Sequence, residues 1–188
     1  MAGVTPGFIN GPTPGNTSAW DMLAKNLRAR RSRVRGRAHR GVWQMQQLDV
    51  SIRDEIDALL KQAKQEILSA DKAGGIKTAE AAWSKVPEPK FDWDVSKSFA
   101  HSLAKFYRNT GDFANAMKLM KELFDSGAVK DHQDGPRFIL ATIYYEKGDV
   151  DLAAKWFEEA NRISKGRCFQ GEDPRYLEFF RSTRPQRN

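Results

Sequence analysis

A run of arginines near the start of the chain offers the clearest chemistry in this sequence. Arginine side chains are planar, permanently charged and able to hold carboxylates or phosphates through two parallel hydrogen bonds. A run of them could therefore neutralise an acidic protein surface or the phosphates of RNA, with binding that weakens steeply as salt is added. The seven arginines of this run are Arg28, Arg30, Arg31, Arg33, Arg35, Arg37 and Arg40.

Three interpretations of the arginine run are compatible with the sequence. The run is a solvated basic face without a specific role, an organellar import signal, or a contact for an acidic partner. The import signal has support from residues 1–48, which are rich in arginine and contain Asp21 as their one acidic residue. We favour the third interpretation, in which the run belongs to an arm that binds a protein or RNA.

The net charge of +7 is concentrated in this arm, which we place at residues 1–50. The arm carries eight Lys and Arg side chains against two Asp, whereas residues 51–188 carry 23 basic and 22 acidic side chains. A Gly- and Pro-rich start is followed by one short predicted helix that contains Trp20, and Trp43 follows the arginines. We expect both tryptophans to become buried only in a complex, as aromatic anchors beside the arginines.

No catalytic constellation is recognisable in the chain. The glycines near Gly166 and Gly171 lack the Lys-Ser/Thr pair that completes a phosphate-binding loop. The three histidines are scattered and Cys168 is the single cysteine, so no zinc site is indicated. No run of about 18 or more apolar residues is present. We therefore expect no enzyme, no metal, no cofactor and no membrane insertion.

The predicted helices that follow the arm form a repeat with a period of 37 residues. Each copy has a glycine that predicts a turn and, five residues later, an alanine that predicts a close helix crossing. The predicted turns are at Gly74, Gly111 and Gly148, and the alanines are Ala79, Ala116 and Ala153. A fixed period with a small residue where two helices cross is typical of an α-solenoid.

We therefore predict an all-α fold over residues 51–188. It is a short α-solenoid of three helical hairpins with a C-terminal capping helix. In the first hairpin, the first helix is predicted to end at residues 73–75 and the second to begin at Ile76. Asp94 is predicted to cap the first helix of the central hairpin, and the capping helix to begin after Asp173.

Residues of the central and third hairpins carry a family pattern. They are Leu103, Ala104, Tyr107, Gly111, Phe113 and Ala116, and again Leu140, Ala141, Tyr144, Gly148, Ala153 and Phe157. This pattern resembles that of tetratricopeptide repeats. The segment from Met120 to Leu123, followed by Gly127 and Asp131, resembles the end of a pentatricopeptide repeat. Both resemblances imply a helical-repeat fold, and the second also implies RNA binding.

In pentatricopeptide proteins, bases are read by a short polar residue near the start of each first helix. This position is His101 in the central hairpin and Phe138 in the third. Phe138 cannot form hydrogen bonds to base edges, so base-by-base reading is not expected. We expect a repeat face with His101 and Trp156 to contact a partner. Trp156, beside the apolar stripe of the third hairpin, either contributes to this face or packs in the core, as helical aromatics usually do.

The whole chain resembles the small pentatricopeptide-like accessory subunits that are bound to the F1 sector of mitochondrial ATP synthase in kinetoplastids and related euglenozoans. The resemblance rests on the length of the chain, its three predicted hairpins and its basic N-terminal arm. It rests also on base-reading positions that depart from the pentatricopeptide pattern. It implies a non-catalytic subunit on the matrix side, peripheral to the inner membrane, that docks against the F1 α subunit. The alternative is an RNA-associated pentatricopeptide-like protein, in the mitochondrial ribosome or in RNA processing, with its arm on phosphates.

Overall fold

Seven α-helices carry the regular structure of residues 45–183, the range that the computed structural model describes. Two 3₁₀ turns, Lys90–Asp92 and Arg167–Phe169, lie between helices, and the β-contact in this range is a parallel bridge between Gln46 and Trp93. The helices are α1 Val50–Leu68, α2 Lys72–Ser84, α3 Ser96–Thr110, α4 Phe113–Asp125, α5 Gly135–Lys147, α6 Val150–Ser164 and α7 Pro174–Ser182. In residues 45–183, no helix is both long and apolar enough to cross a membrane.

Consecutive helices pack in pairs, α1 with α2, α3 with α4, and α5 with α6. Neighbouring pairs are joined because α3 contacts both α2 and α5, and because α4 contacts α5. A single hairpin cannot bury its apolar faces alone, so stacked hairpins share one continuous core. The prediction of an all-α solenoid of three hairpins is therefore confirmed for this part of the chain.

The second and third hairpins turn at the predicted glycines. Gly111 and Gly148 end α3 and α5 in the left-handed conformation, with φ of +87° and +88°. Glycine adopts this conformation at little cost because it has no Cβ, and the chain can then reverse within two residues. Asp112 caps α4 by accepting a hydrogen bond from the backbone N–H of Asn115 at 3.1 Å.

The first hairpin turns earlier than predicted. Ala70, with φ of +72°, occupies the position that glycine holds in the other two turns. Asp71 caps α2 by accepting a hydrogen bond from the backbone N–H of Gly74 at 2.9 Å. The predicted turn at Gly74 and the helix start at Ile76 are therefore wrong. A capping aspartate sets where a helix begins, and glycines inside the helix weaken it without ending it.

Gly75 takes the place at the crossing of α1 and α2 that alanine takes in the central hairpin. It lies four residues after the capping aspartate of its helix, as Ala116 does in α4. A Cβ atom on Gly75 would lie 2.4 Å from Cγ1 of Ile67 and 2.8 Å from the backbone oxygen of Ala63. This crossing therefore has no room for a Cβ. The 37-residue period assigns Ala79 to the crossing, but the buried Ala79 lies one turn further along α2.

We expect Gly75→Ala to lower the free energy of unfolding by about 2 kcal/mol, because overpacking this crossing must shift backbone atoms. Urea denaturation measures the change. Ala81→Gly, at an exposed position of the same helix, is the control for helix propensity, which alone favours alanine by about 1 kcal/mol. A Gly75→Ala protein that is more stable than the wild type would contradict the tight crossing.

Residues 45–49 run along the 3₁₀ turn that precedes α3. The backbone N–H of Gln46 donates to the oxygen of Asp92, and that of Asp94 donates to the oxygen of Gln46, both at 2.9 Å. Leu48 is buried, and its N–H donates to Oδ1 of Asp94 at 3.3 Å. The prediction that Asp94 caps α3 is wrong, since α3 has no side-chain cap and Asp94 fastens this segment instead. Residues 45–49, which the boundary predicted at residue 50 assigns to the arm, therefore pack with the repeats. The division of the chain into arm and repeat body stays a prediction.

Helix α7 packs against α6 at the C-terminal end of the stack, as predicted. Asp173 caps it by accepting a backbone hydrogen bond at 2.9 Å. Tyr176 and Phe180 are buried, and their ring centroids lie 5.8 Å from that of Phe157 and 5.2 Å from that of Phe169, respectively. An aromatic cluster therefore covers the apolar end of the third hairpin, as a solenoid cap must.

Candidate functional site

A cleft of about 180 Å³ between α3 and α5 is the candidate site. Its walls come from three separate parts of the chain. They include His101 and Lys105 of α3, Asp134 and Phe138 at the start of α5, and Cys168 and Glu172 after α6. The cleft therefore forms only when the last two hairpins and the C-terminal segment have packed together.

One ion pair crosses the cleft. Nζ of Lys105 on α3 lies 3.0 Å from Oε1 of Glu172, in the connection to α7. The two side chains are 37% and 28% exposed, so the pair stabilises the fold modestly and mainly fixes the position of the connection. Asp134 makes neither an ion pair nor a side-chain hydrogen bond within residues 45–183.

His101 is held in the neutral form. Burial, followed by the positive charges of Lys105 and Lys97, lowers the pKa of His101 from 6.5 to about 4. Its Nε2 atom is buried and has no hydrogen-bond partner among the described residues. A neutral imidazole can accept as well as donate a hydrogen bond, so His101 adds polarity to the cleft at neutral pH without adding charge.

The lowered pKa of His101 makes the fold sensitive to acid. The unfolded chain takes up this proton near pH 6.5 and the folded chain near pH 4. The unfolded state binds more protons between these values, so the contribution to stability is complete above pH 6.5 and is lost as the pH falls towards 4. We expect His101→Gln to flatten the decline in unfolding free energy over this range, measured in urea, with the exposed His132→Gln as control. A profile parallel to that of the wild type would contradict the prediction.

Arg108 on α3 links this helix to α5 and α7. Its Nη1 donates a hydrogen bond to Oγ1 of the buried Thr142 on α5 at 2.7 Å. Its guanidinium carbon lies 5.7 Å from the ring centroid of Tyr176 on α7, a cation–π contact. The hydroxyl of Tyr176 donates to Oε1 of Glu146 at 2.8 Å, and burial raises the pKa of Tyr176, which keeps this donor protonated. The C-terminal segment is thus fastened to both α3 and α5.

The predicted site residues fall into three groups. His101 lines the cleft. Trp156 is 4% exposed and packs on Phe124 with ring centroids 5.7 Å apart, so it is a core residue and its assignment to a partner-binding face is corrected. The arm residues lie outside the described range, and their role stays a prediction. These are Trp20, Arg28, Arg30, Arg31, Arg33, Arg35, Arg37, Arg40 and Trp43.

Sequence reasoning missed the residues that give the cleft its charge. Lys105 follows His101 by four residues, a spacing that puts two side chains on one face of a helix, so this neighbour has a signal in the sequence. Asp134 has the pattern of a helix start, and Glu172 lies in a connection without any period. Only the packing of the hairpins brings these carboxylates to the same place.

Comparison with known proteins agrees with the fold. Residues 137–166, which span nearly all of α5 and α6, match the tetratricopeptide repeat family. Together with the helical stack, this match supports a tetratricopeptide-like helical repeat fold in the described part of the chain. Repeats of this kind typically act as scaffolds for protein–protein interaction. No curated protein and no solved structure matches the chain.

Proposed function

We propose that this protein is a non-catalytic docking subunit of a large mitochondrial assembly. More specifically, we infer an accessory subunit of the F1 sector of ATP synthase, with the F1 α subunit as its partner. The stack of tetratricopeptide-like hairpins carries the general proposal, since such stacks present extended helical faces to other proteins. The resemblance of the whole chain supports the particular assembly and a location on the matrix side, peripheral to the inner membrane.

The properties of the cleft favour docking over catalysis. Its volume of about 180 Å³ is below the roughly 300–1,000 Å³ of sites that enclose a small-molecule substrate. Burial raises the pKa of the Cys168 thiol, which disfavours the thiolate that a nucleophile requires. Nε2 of His101 has no hydrogen-bond partner among the described residues, whereas a catalytic base is usually oriented by one.

RNA binding through the arm is the second candidate function. Its support is the arginine run, which could bind phosphates whatever the base sequence. The repeats themselves favour a protein partner. Phe138, at the base-reading position of the third hairpin, is 3% exposed and packs on Phe157 with ring centroids 5.3 Å apart. A base could not reach this side chain without opening the aromatic cluster.

Purification of the tagged native protein from mitochondria tests both candidates. It is done at low and moderate salt, with and without ribonuclease. We expect F1 α and β subunits in stoichiometric amounts that stay bound in moderate salt and after ribonuclease. RNA or ribosomal proteins that are lost with salt or ribonuclease would overturn the docking proposal and favour the second candidate.

A pair of charge-matched variants then locates the contact. In the first variant, glutamine replaces the seven arginines of the arm. In the second, glutamine replaces seven exposed lysines of the repeats, namely Lys61, Lys64, Lys72, Lys77, Lys118, Lys147 and Lys165. We expect the first variant to lose its partner in moderate salt and the second to retain it. Retention by both variants would show that the arm is not the contact.

A further inference from the structure

We propose that the turn end of the first hairpin docks on an anionic lipid surface. We call this end the hairpin tip and define it as residues 61–77, which include the end of α1, the turn and the start of α2. The contact is peripheral, with lysines on lipid phosphates and Leu68 among the headgroups. The proposal does not depend on which protein assembly the chain joins.

Charge is separated along the first hairpin. The hairpin tip carries four lysines against Glu66 and Asp71, whereas the opposite end, residues 50–60 and 78–85, carries two basic and four acidic side chains. Because α1 and α2 pack together on either side of a short turn, the two excesses lie at opposite ends of the hairpin. The hairpin tip therefore favours a partner that carries negative charge.

The lysines of the hairpin tip are available to such a partner. They are all exposed and none forms an ion pair within residues 45–183, namely Lys61, Lys64, Lys72 and Lys77. By contrast, Lys85 at the opposite end is paired with Glu55 at 2.6 Å. The two carboxylates of the tip are engaged elsewhere, Asp71 as the cap of α2 and Glu66 as the acceptor of a hydrogen bond from Gln62 at 2.7 Å. Lipid phosphates would thus meet lysines that no carboxylate already holds.

The hairpin tip also presents an apolar side chain. Residues 68–73 are all exposed, the longest such run in the described range. Leu68, which ends α1, is 77% exposed, more than any other large hydrophobic side chain in that range. A single exposed leucine is ordinary on a protein surface. Here it is combined with unpaired lysines and with the positive φ of Ala70, and such departures from stable local structure occur mainly at functional sites.

This combination favours lipid over protein or RNA. Lysine is depleted in protein–protein interfaces, where aromatic residues and arginine are enriched. The phosphates of RNA attract lysine, but its backbone offers a leucine no apolar environment. Segments that lie at a membrane interface combine the two, since lysine is attracted to anionic headgroups and leucine enters the boundary of the acyl chains. A projecting turn also reaches a flat surface without needing a matching pocket.

Vesicle binding of the full chain is the test. Vesicles of equal parts phosphatidylcholine and phosphatidylglycerol are compared with vesicles of phosphatidylcholine alone, at low and moderate salt, and bound protein is measured by co-sedimentation. We expect binding to the anionic vesicles that weakens with salt, and no binding to the neutral ones. Equal binding to both compositions, or binding to neither, would overturn the proposal.

Two lysine variants of equal net charge locate the contact, because the arginines of the arm attract the same vesicles. In the tip variant, glutamine replaces the four lysines of the hairpin tip. In the body variant, glutamine replaces four exposed lysines outside it, namely Lys118, Lys121, Lys147 and Lys165. We expect the tip variant to bind anionic vesicles at least about tenfold more weakly than the body variant, since each lysine near the surface adds to the attraction. Equal binding by the two variants would reject the hairpin tip as the contact.

A second pair of variants tests the apolar part of the contact. Leu68→Ser should weaken binding to the anionic vesicles about fivefold, since binding at a membrane interface scales with the apolar area that is buried. Val150→Ser, at a side chain of α6 that is 53% exposed, should leave binding unchanged. All the substituted side chains are exposed, so these proteins should fold, and circular dichroism checks this. Unchanged binding by Leu68→Ser would overturn the choice of lipid over another phosphate-bearing partner.

The purification from mitochondria gives independent outcomes. A tip variant that binds vesicles as the body variant does, but loses a protein in the purification, would make the hairpin tip a protein contact and overturn the proposal. Vesicle binding through the tip without F1 subunits in the purification would preserve the tip and reject the proposed assembly. F1 subunits without vesicle binding would reject the tip alone. The two proposals therefore fail separately.

Discussion

Trp156→Ala is expected to lower the free energy of unfolding by about 4 kcal/mol. Trp156 is 4% exposed on α6, and its ring centroid lies 5.7 Å from that of Phe124 on α4. Removing the indole leaves a cavity between the second and third hairpins. The surrounding helices are held by their other contacts, so they cannot close the cavity completely. Urea denaturation followed by circular dichroism measures the loss.

Two further variants separate this core role from a contact with a partner. Trp156→Phe keeps an aromatic ring against Phe124 and should retain most of the stability. Leu68→Ala, at a side chain that is 77% exposed, should change the unfolding free energy by no more than about 0.5 kcal/mol. If Trp156→Ala kept its stability but lost the partner in the mitochondrial purification, Trp156 would be an interface residue and not a core residue.

The turns of the second and third hairpins could be predicted because glycine carries the information locally. Gly111 and Gly148 have φ near +90°, a conformation that most side chains disfavour, and an aspartate follows each of them. In the first hairpin Ala70 adopts a positive φ, held there by the cap of Asp71 and by the packing of α1 on α2. No glycine marks that turn, so sequence reasoning placed it at Gly74, although Asp71 follows Ala70 as an aspartate follows the other two turn residues.

A glycine in a repeat therefore has two possible meanings that its residue type does not separate. It either permits a positive φ at a turn or permits close approach of two backbones. Gly75 has the second meaning, since a Cβ there would meet Ile67 and Ala63 of α1. Distinguishing the two requires the partner helix, which the period alone does not provide.

The cleft could be predicted only in part for the same reason. Helical spacing identifies His101 and Lys105 as neighbours, because four residues complete about one turn. Asp134 and Glu172 reach them from distant parts of the chain, and no local pattern links these positions. The position of Trp156 could not be predicted either. Its place beside an apolar stripe of α6 does not indicate whether α4 or a partner protein covers it.

Arg137→Met is expected to lower the free energy of unfolding by about 3 kcal/mol, since hydrogen bonds from a charged donor contribute roughly 1.5–3 kcal/mol each. Arg137 is 7% exposed on α5. Its Nη1 donates to the backbone oxygens of Gln133 at 2.6 Å and Lys130 at 3.2 Å, and its Nε lies 3.5 Å from Oε1 of Glu159. Methionine keeps much of the aliphatic volume but leaves both oxygens without this donor. Urea denaturation measures the effect.

Arg162→Met is the matched control for this prediction. Nη2 of Arg162 lies 3.7 Å from the same Oε1 atom of Glu159, but the side chain is 68% exposed, so its loss should cost less than about 0.5 kcal/mol. Equal losses from both variants would assign the effect to Glu159. A much larger loss from Arg137→Met would assign it to the oxygens of Lys130 and Gln133. Since both lie in the connection between α4 and α5, this connection would then stabilise the stack together with the helix faces.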